Sequence, residues 1–223
     1  MSSESPKQVL FTQFAAVAKA VAHPHRLELL EQLAQGERSV EVLARRTRVS
    51  IANASQHLQR LRRAGLIAAR RQGKFVFYRL VDDAVLALPA SLRRIAEAQS
   101  AEVERVIRGY FNNRDSFEPV SRRDLLDRVK TRLVTVLDVR PADEFALGHV
   151  PGAVNIPLGE LAQRIAHLDP HQEIVAYCRG PYCVLAYEAV AALRAHGFIA
   201  RRLEDGLPEW RAAGLPIKFG MAL

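Results

Sequence analysis

The apolar positions of the N-terminal part of the chain follow a helical beat. Leu10, Phe14, Val17 and Val21 recur every three or four residues, and Pro24 then opens a second helix that carries Leu27, Leu29, Leu30 and Leu33. Gly36 closes that helix, since glycine readily takes the left-handed conformation that ends one. Ser39 is placed to cap a short helix, VEVLARR, and Ser50, after the turn TRVS, to cap IANASQHLQRLRRA, which stops at Gly65. On this last helix Ile51, Ala54, Leu58 and Leu61 share a face and are expected to pack inward. The period then changes. LIAARR and FVFYRL, residues 66–71 and 75–80, predict two strands of a β-hairpin around a Gln72-Gly73 turn. Residues 82–111 return to a helical pattern, with Pro89 expected to kink or break it.

Residues 112–120, NNRDSFEPV, are polar with a proline and mark a linker. Beyond about residue 131 strand and helix alternate: TVLDV before ADEFALG, AVNIP before LGELAQRIAHL, EIVAYC before VLAYEAVAALRAHG, FIARRL before LPEWRAAG. Alternation of this kind builds a mostly parallel sheet covered by helices. The chain is therefore expected to hold two domains. Residues 1–112 form a mainly α winged helix-turn-helix with a β-hairpin wing, residues 113–120 the linker, and residues 121–223 an α/β domain.

Charge separates the same halves. Residues 1–112 hold 18 Lys+Arg against 10 Asp+Glu, and residues 113–223 hold 14 against 14, so the whole net charge of +8 sits in the first half. Within residues 36–80 the imbalance is 11 basic to 2 acidic, a stripe suited to a polyanion such as nucleic acid. MSSESPKQ is no secretory signal, no apolar run reaches the ~18 residues of a membrane span, and two cysteines suit a reducing compartment. A cytoplasmic protein without membrane association is expected.

In a helix-turn-helix the second helix enters the major groove. On the helix beginning near Ile51, Asn53, Ser55, Gln56 and Gln59 can hydrogen-bond base edges. Arg60, Arg62 and Arg63 beyond them, with Arg70, Arg71 and Lys74 at the hairpin tip, suit phosphate. HPHRLELLEQL, SQHLQRLRRAGLI and RQGKFVFYRL, in that order, resemble the DNA-binding domain of the ArsR-type winged-helix repressors over roughly residues 10–110. The resemblance implies a homodimer built on the first and last helices, gripping a palindromic double-stranded operator, and repression relieved by an inducer. Metal-sensing members carry cysteines in the helix matching SVEVLARR or His, Asp and Glu ligands on the last helix. Here SVEVLARR has no such ligand and residues 82–111 hold no His or Cys. His23 and His25 flank Pro24 and read as structural, His57 as packed or facing phosphate, and His167 and His171 are separated by the helix-breaking Asp169-Pro170. No metal and no cofactor are expected.

Both cysteines of the chain, Cys178 and Cys183, lie in AYCRGPYCVLA, between a buried strand and a helix. Ligands of α/β folds gather at the carboxyl ends of strands. A short loop there can curl its N–H groups into an anion cradle at the helix N-terminus, where a thiol loses its proton easily. Arg179 adds a full charge. VLDVRPADEFALGHVPGAVNIP, then EIVAYCRGPYCVLAYEAVAALRAHGF, then LEDGLPEW resemble a single-domain rhodanese, a sulfurtransferase, over about residues 118–218. The resemblance implies that Cys178 receives a sulfane sulfur and holds it as a persulfide, with Arg179 stabilising the anion. Asp138, Arg140, Glu144 and His149 match structural motifs of the family; Asp138, Arg140 and Gly180 read as supports of the loop, and Trp210 as core. Related phosphatases use a seven-residue loop, so the six residues from Cys178 to Cys183 argue against phosphatase or arsenate reductase chemistry. Cys183 stands where many sulfurtransferases have Arg, Ser or Thr, and is a candidate resolving thiol that attacks the persulfide, releasing sulfide and closing a disulfide, or that traps extra sulfur between the two thiols.

These readings together describe a transcriptional regulator that reads reactive sulfur from a small donor such as thiosulfate or a polysulfide. Two alternatives stand beside it. The chain is chiefly a sulfurtransferase localised or dimerised by its DNA-binding domain, or its rhodanese domain is a non-catalytic binding module.

Overall fold

The structure is a computed structural model that describes residues 5–112, 119–130 and 134–220. By contact the chain divides into two units, residues 1–89 and 90–223. Most of the expected linker, residues 113–118, lies outside the described residues.

The first unit is a winged helix-turn-helix. Ser5 caps α1 (Pro6–Val21), and α2 (Pro24–Ala34) follows directly. Arg26 explains the tight junction between them. It is buried, and its guanidinium donates to the carbonyls of Lys19, Ala20 and Ala22, closing the end of α1. After β1 (Arg38–Ser39), Ser39 caps α3 (Val40–Arg46), and Ser50 accepts from the Asn53 N–H at 3.2 Å to cap α4 (Ile51–Arg63). Gly65, at φ +73°, ends the run.

β2 (Ile67–Gln72) and β3 (Phe75–Leu80) form the wing. Gln72 pairs with Phe75, so the turn residues are Gly73 and Lys74 rather than Gln72 and Gly73, and Gly73 takes φ +60°. β1 adds a third antiparallel strand, in the order β1-β3-β2. The core joins Leu29, Leu30 and Leu33 of α2, Leu43 of α3, Ala54, Leu58 and Leu61 of α4, and Ile67, Tyr78 and Leu80 of the wing.

Ile51 does not join that core. It is 53% exposed, because it opens α4 at the first turn, beyond the reach of the residues that cover Ala54, Leu58 and Leu61. Val9, Leu10, Phe11 and Phe14 of α1 are also exposed, and only Ala20 and Val21 of that helix are buried.

Pro89 breaks nothing. It sits in the first turn of α5 (Ala87–Gln99), where a missing N–H costs no helical bond. The break in the helical stretch comes instead at Ser100, which caps α6 (Ala101–Val106).

In the second unit α7 (Arg122–Lys130) leads into β4 (Val134–Asp138), α8 (Ala142–Ala146), β5 (Val154–Asn155) and α9 (Leu161–Arg164). β6 (Glu173–Tyr177), α10 (Val184–Ala195), β7 (Ala200–Arg202) and α11 (Leu207–Ala212) follow. The four strands are parallel, ordered β5-β4-β6-β7. Side-chain alternation assigns the two faces. Leu137, Ile174 and Ala176 pack with Leu161 of α9 and Ala186, Ala189, Val190 and Leu193 of α10. Val136, Val175 and Tyr177 pack with Leu125 of α7, Phe145 of α8 and Leu207 and Trp210 of α11. Trp210 is core, its indole N–H donating to the Pro216 carbonyl.

Candidate functional site

Two sets of side chains emerge, one in each unit. In the first, burial of Ala54, Leu58 and Leu61 turns the opposite side of α4 outward, so Asn53, Gln56, Gln59, Arg60 and Arg63 are exposed and Ser55 half-buried. The wing residues are exposed but not all idle. Arg70 is paired with Glu37 at 2.5 Å and lies over the Phe77 ring, Arg71 donates to the Gly73 carbonyl, and Lys74 lies over Phe75. Arg70 thus meets any polyanion with its charge already partly compensated.

The ring of His57 on α4 gathers with those of His23 and His25 at the start of α2, with centroids 4.5 Å apart for His23 and His57 and under 6 Å for the other two pairs. His23 Nδ1 accepts the His25 N–H. Burial first, and then the neighbouring histidines and arginines, hold His57 below the ordinary histidine range; burial and Arg26 do the same for His23. Among the described residues no group of three or more His, Cys, Asp or Glu side chains is arranged to hold a metal.

In the second unit β6 ends at Tyr177 and α10 begins at Val184 with Cys183 as its N-cap, so the six residues from Cys178 to Cys183 are the strand-to-helix loop. The two cysteines form a disulfide with Cα atoms 6.1 Å apart, and both are buried. Neighbouring elements fix the loop. The Cys178 carbonyl accepts from the Leu207 N–H, the Gly180 carbonyl from the Cys183 N–H, and the Pro181 carbonyl from the Tyr187 hydroxyl.

Asp138 and Arg140 lie at the carboxyl end of β4, fully buried and paired with each other. Asp138 also accepts from the Tyr177 hydroxyl, which in turn accepts from the Val150 N–H; Arg140 donates to the Gly148 carbonyl. Burial works to strip Arg140 of its proton, but the Asp138 carboxylate beside it wins and raises its pKa. Burial, reinforced by Asp138, pushes the Tyr177 phenol well up. This network ends at the residue immediately before Cys178. Arg179 is directed to Glu144, at 2.8 Å from a carboxylate that is fully buried in the first turn of α8. His149 stacks on Phe145 and contacts its carbonyl through Nδ1.

The chain matches the rhodanese-like domain family over residues 121–213 and a helix-turn-helix domain family over residues 21–70. It is 43% identical over 214 residues to the HTH-type transcriptional regulator Rv0324 of Mycobacterium tuberculosis, spanning 96% of this chain and 94% of that protein. The chain belongs to the ArsR-type winged-helix transcriptional regulators that carry a rhodanese-like domain. This regulator is also 31% identical, over 39% of its length and 80% of the relative's, to a protein of Allochromatium vinosum named sulfurtransferase. A solution structure of the homodimeric winged helix-turn-helix DNA-binding domain Mb0332 from Mycobacterium bovis is 39% identical, covering 46% of this chain and 95% of that one, with a TM-score of 0.41.

Several residues around the regulator's cysteine loop escaped the sequence reading. Gly206 is one: a Cβ there would stand 2.3 Å from the Gly180 nitrogen. Glu209 is another, accepting the Gly206 N–H at 3.1 Å and pairing with Arg93 at 2.8 Å. Tyr182, inside the loop, donates to Glu97 of α5 at 2.7 Å. Gly206 and Glu209 lie in LEDGLPEW, which carried the resemblance, but that run gave no hint of what they touch. Arg93 and Glu97 lay in a stretch read only as helix, and an ordinary charged helix face gives no signal of a partner more than eighty residues away.

Proposed function

We propose that the regulator senses sulfane sulfur through Cys178 and Cys183 and that the outcome alters its binding to a double-stranded operator. The observation that carries this reading is the meeting of both thiols of the chain in one strand-to-helix loop, within bonding distance. The reduced Cys178 thiolate attacks the sulfane sulfur of thiosulfate, forming Cys178–S–S⁻ and expelling sulfite. Cys183 then attacks the inner sulfur, its proton leaves with the outer sulfur as hydrosulfide, and the disulfide closes. The two thiols lose two electrons and the sulfane sulfur gains them. A polysulfide reacts alike, with the shortened chain as leaving group. Arg179, next to Cys178 in sequence and paired with Glu144, is the residue we assign to offset the anion.

Recognition of DNA rests on Asn53, Ser55, Gln56 and Gln59 for base edges and on Arg60, Arg63, Arg70, Arg71 and Lys74 for phosphate. A homodimer is the working form, and the exposed apolar side of α1, from Val9 to Phe14, supports this. Among the described residues no helix is long and apolar enough to cross a membrane.

The test is intact mass after exposure of reduced protein to thiosulfate or polysulfide, on wild type, Cys178→Ser and Cys183→Ser, with operator binding followed in the same samples. Wild type should close the disulfide and change its operator affinity; Cys183→Ser should stop at the Cys178 persulfide; Cys178→Ser should do neither. Persulfidation without any change in operator binding ends the sensor reading. A second reading, in which sulfur transfer is itself the output, is favoured by the likeness to the Allochromatium vinosum sulfurtransferase. Sustained transfer from thiosulfate to cyanide, lost in Cys178→Ser, would support it.

A further inference from the structure

The loop that joins the two cysteines turns one side chain away from the disulfide and toward α5. Tyr182, next to Cys183, donates its hydroxyl to Glu97 at 2.7 Å. Glu97 is also paired with Arg93 one turn earlier, and Arg93 reaches Glu209 at 2.8 Å. Glu209 holds the Gly206 N–H, and Gly206 lies against the Gly180 backbone inside the loop. Phe111 closes the far side, its ring 4.9 Å from Tyr182 and 5.1 Å from Tyr187, whose hydroxyl holds the Pro181 carbonyl. Residues 179–182 are thus bounded by the disulfide and held to α5 at Tyr182 directly and at Gly180 by way of Gly206 and Glu209. Burial, and next the bond to Glu97, push the Tyr182 phenol up, so it stays a donor at any physiological pH.

We propose that Tyr182 and Glu97 couple the covalent state of the Cys178–Cys183 loop to α5, the closed disulfide holding the helix in place and its opening letting go. This deepens the sulfur-sensing reading, on which its biological meaning rests. α5 suits the role because it is one continuous helix whose first turn contains the division between the two units. The release step is ordinary thiol exchange: two equivalents of a thiol reductant convert the disulfide to two thiols and leave as their own disulfide. The loop then loses its shortest constraint, and Tyr182 is no longer tied to Cys178 through its neighbour Cys183. Two states with different local order at α5 follow, which is the physical requirement for coupling.

Hydrogen exchange of the α5 amides in the full chain tests this, comparing oxidised protein with protein reduced by a thiol alone. In wild type, reduction should raise α5 exchange by about five- to tenfold, the scale expected for loss of one or two partly buried hydrogen bonds. Tyr182→Phe keeps the ring against Phe111 and the disulfide, yet should exchange fast in both states, erasing the redox difference. Glu97→Gln retains an acceptor and should restore most of it; Glu97→Leu should not. Equal α5 exchange in oxidised and reduced wild type overturns the proposal, as does a full redox difference in Tyr182→Phe. Because reduction uses no sulfur donor, the outcome is separable from sulfur sensing. Absence of sulfur uptake by mass would sink that reading while leaving the exchange difference standing.

Discussion

Gly206 lies so close to Gly180 that a Cβ on Gly206 would stand 2.3 Å from the Gly180 nitrogen and 2.4 Å from the Arg179 carbonyl carbon. Those are backbone atoms of the cysteine loop, so nothing flexible can yield. Gly206→Ala should therefore shift the loop, with a cost of about 1–3 kcal/mol. Urea unfolding followed by Trp210 fluorescence reads the stability, and the rate of disulfide closure by intact mass reads the site. An unchanged midpoint together with an unchanged closure rate would show that the approach is not a constraint.

Asp138 and Arg140 stabilise the end of β4 as a pair, and removing one charge is worse than the pair is good. Asp138→Asn strands a fully buried guanidinium, for which the expected loss is about 3–5 kcal/mol. Tyr177→Phe, which removes the hydroxyl shared by Asp138 and Val150, should cost less, about 1–3 kcal/mol. Denaturant midpoints of the two variants should fall in that order, and the reverse order would contradict the assignment of the network.

The histidine cluster sets a pH dependence with a definite sign. His57 and His23 hold a proton less tightly in the folded chain than at the ordinary histidine value of 6.5. Their contribution to stability is present above that value and is lost as pH falls through the lower folded values. Circular dichroism melts of the full chain should shift to lower temperature between about pH 7.5 and about 5.5, and His57→Gln should shift less. A wild-type melt that stays fixed over that window would show that the cluster does not titrate on unfolding.

Glu37 restrains Arg70 on the wing. Glu37→Gln removes the charge that compensates that guanidinium, so operator affinity should rise severalfold and the salt dependence steepen by about one unit of slope. Arg63→Ala should act oppositely, weakening binding to all sequences and reducing the slope by about 1. Gln56→Ala should instead change which base is preferred and leave the slope alone. Titrations of operator and mutated duplexes at several salt concentrations separate these outcomes.

The sequence by itself determined what depends on near neighbours. Caps at Ser39 and Ser50, the buried face at Ala54, Leu58 and Leu61, the hairpin and the β-α alternation all follow from propensities and periods read within a dozen residues. The placement of both cysteines after a buried strand was legible for the same reason. Tertiary structure decided what depends on segments distant in sequence. Ile51 has an apolar side chain on the expected face, but burial requires a neighbour, and none of the described residues covers the start of α4. β1 became a strand because β3 offered it an edge, and two residues carry too little pattern to announce that. Gly206 beside Gly180, and Glu97 beside Tyr182, come from segments that meet only after the sheet and its covering helices have packed. Periodicity fixes which way a side chain faces along its own element; what it meets there is set by the packing of the others.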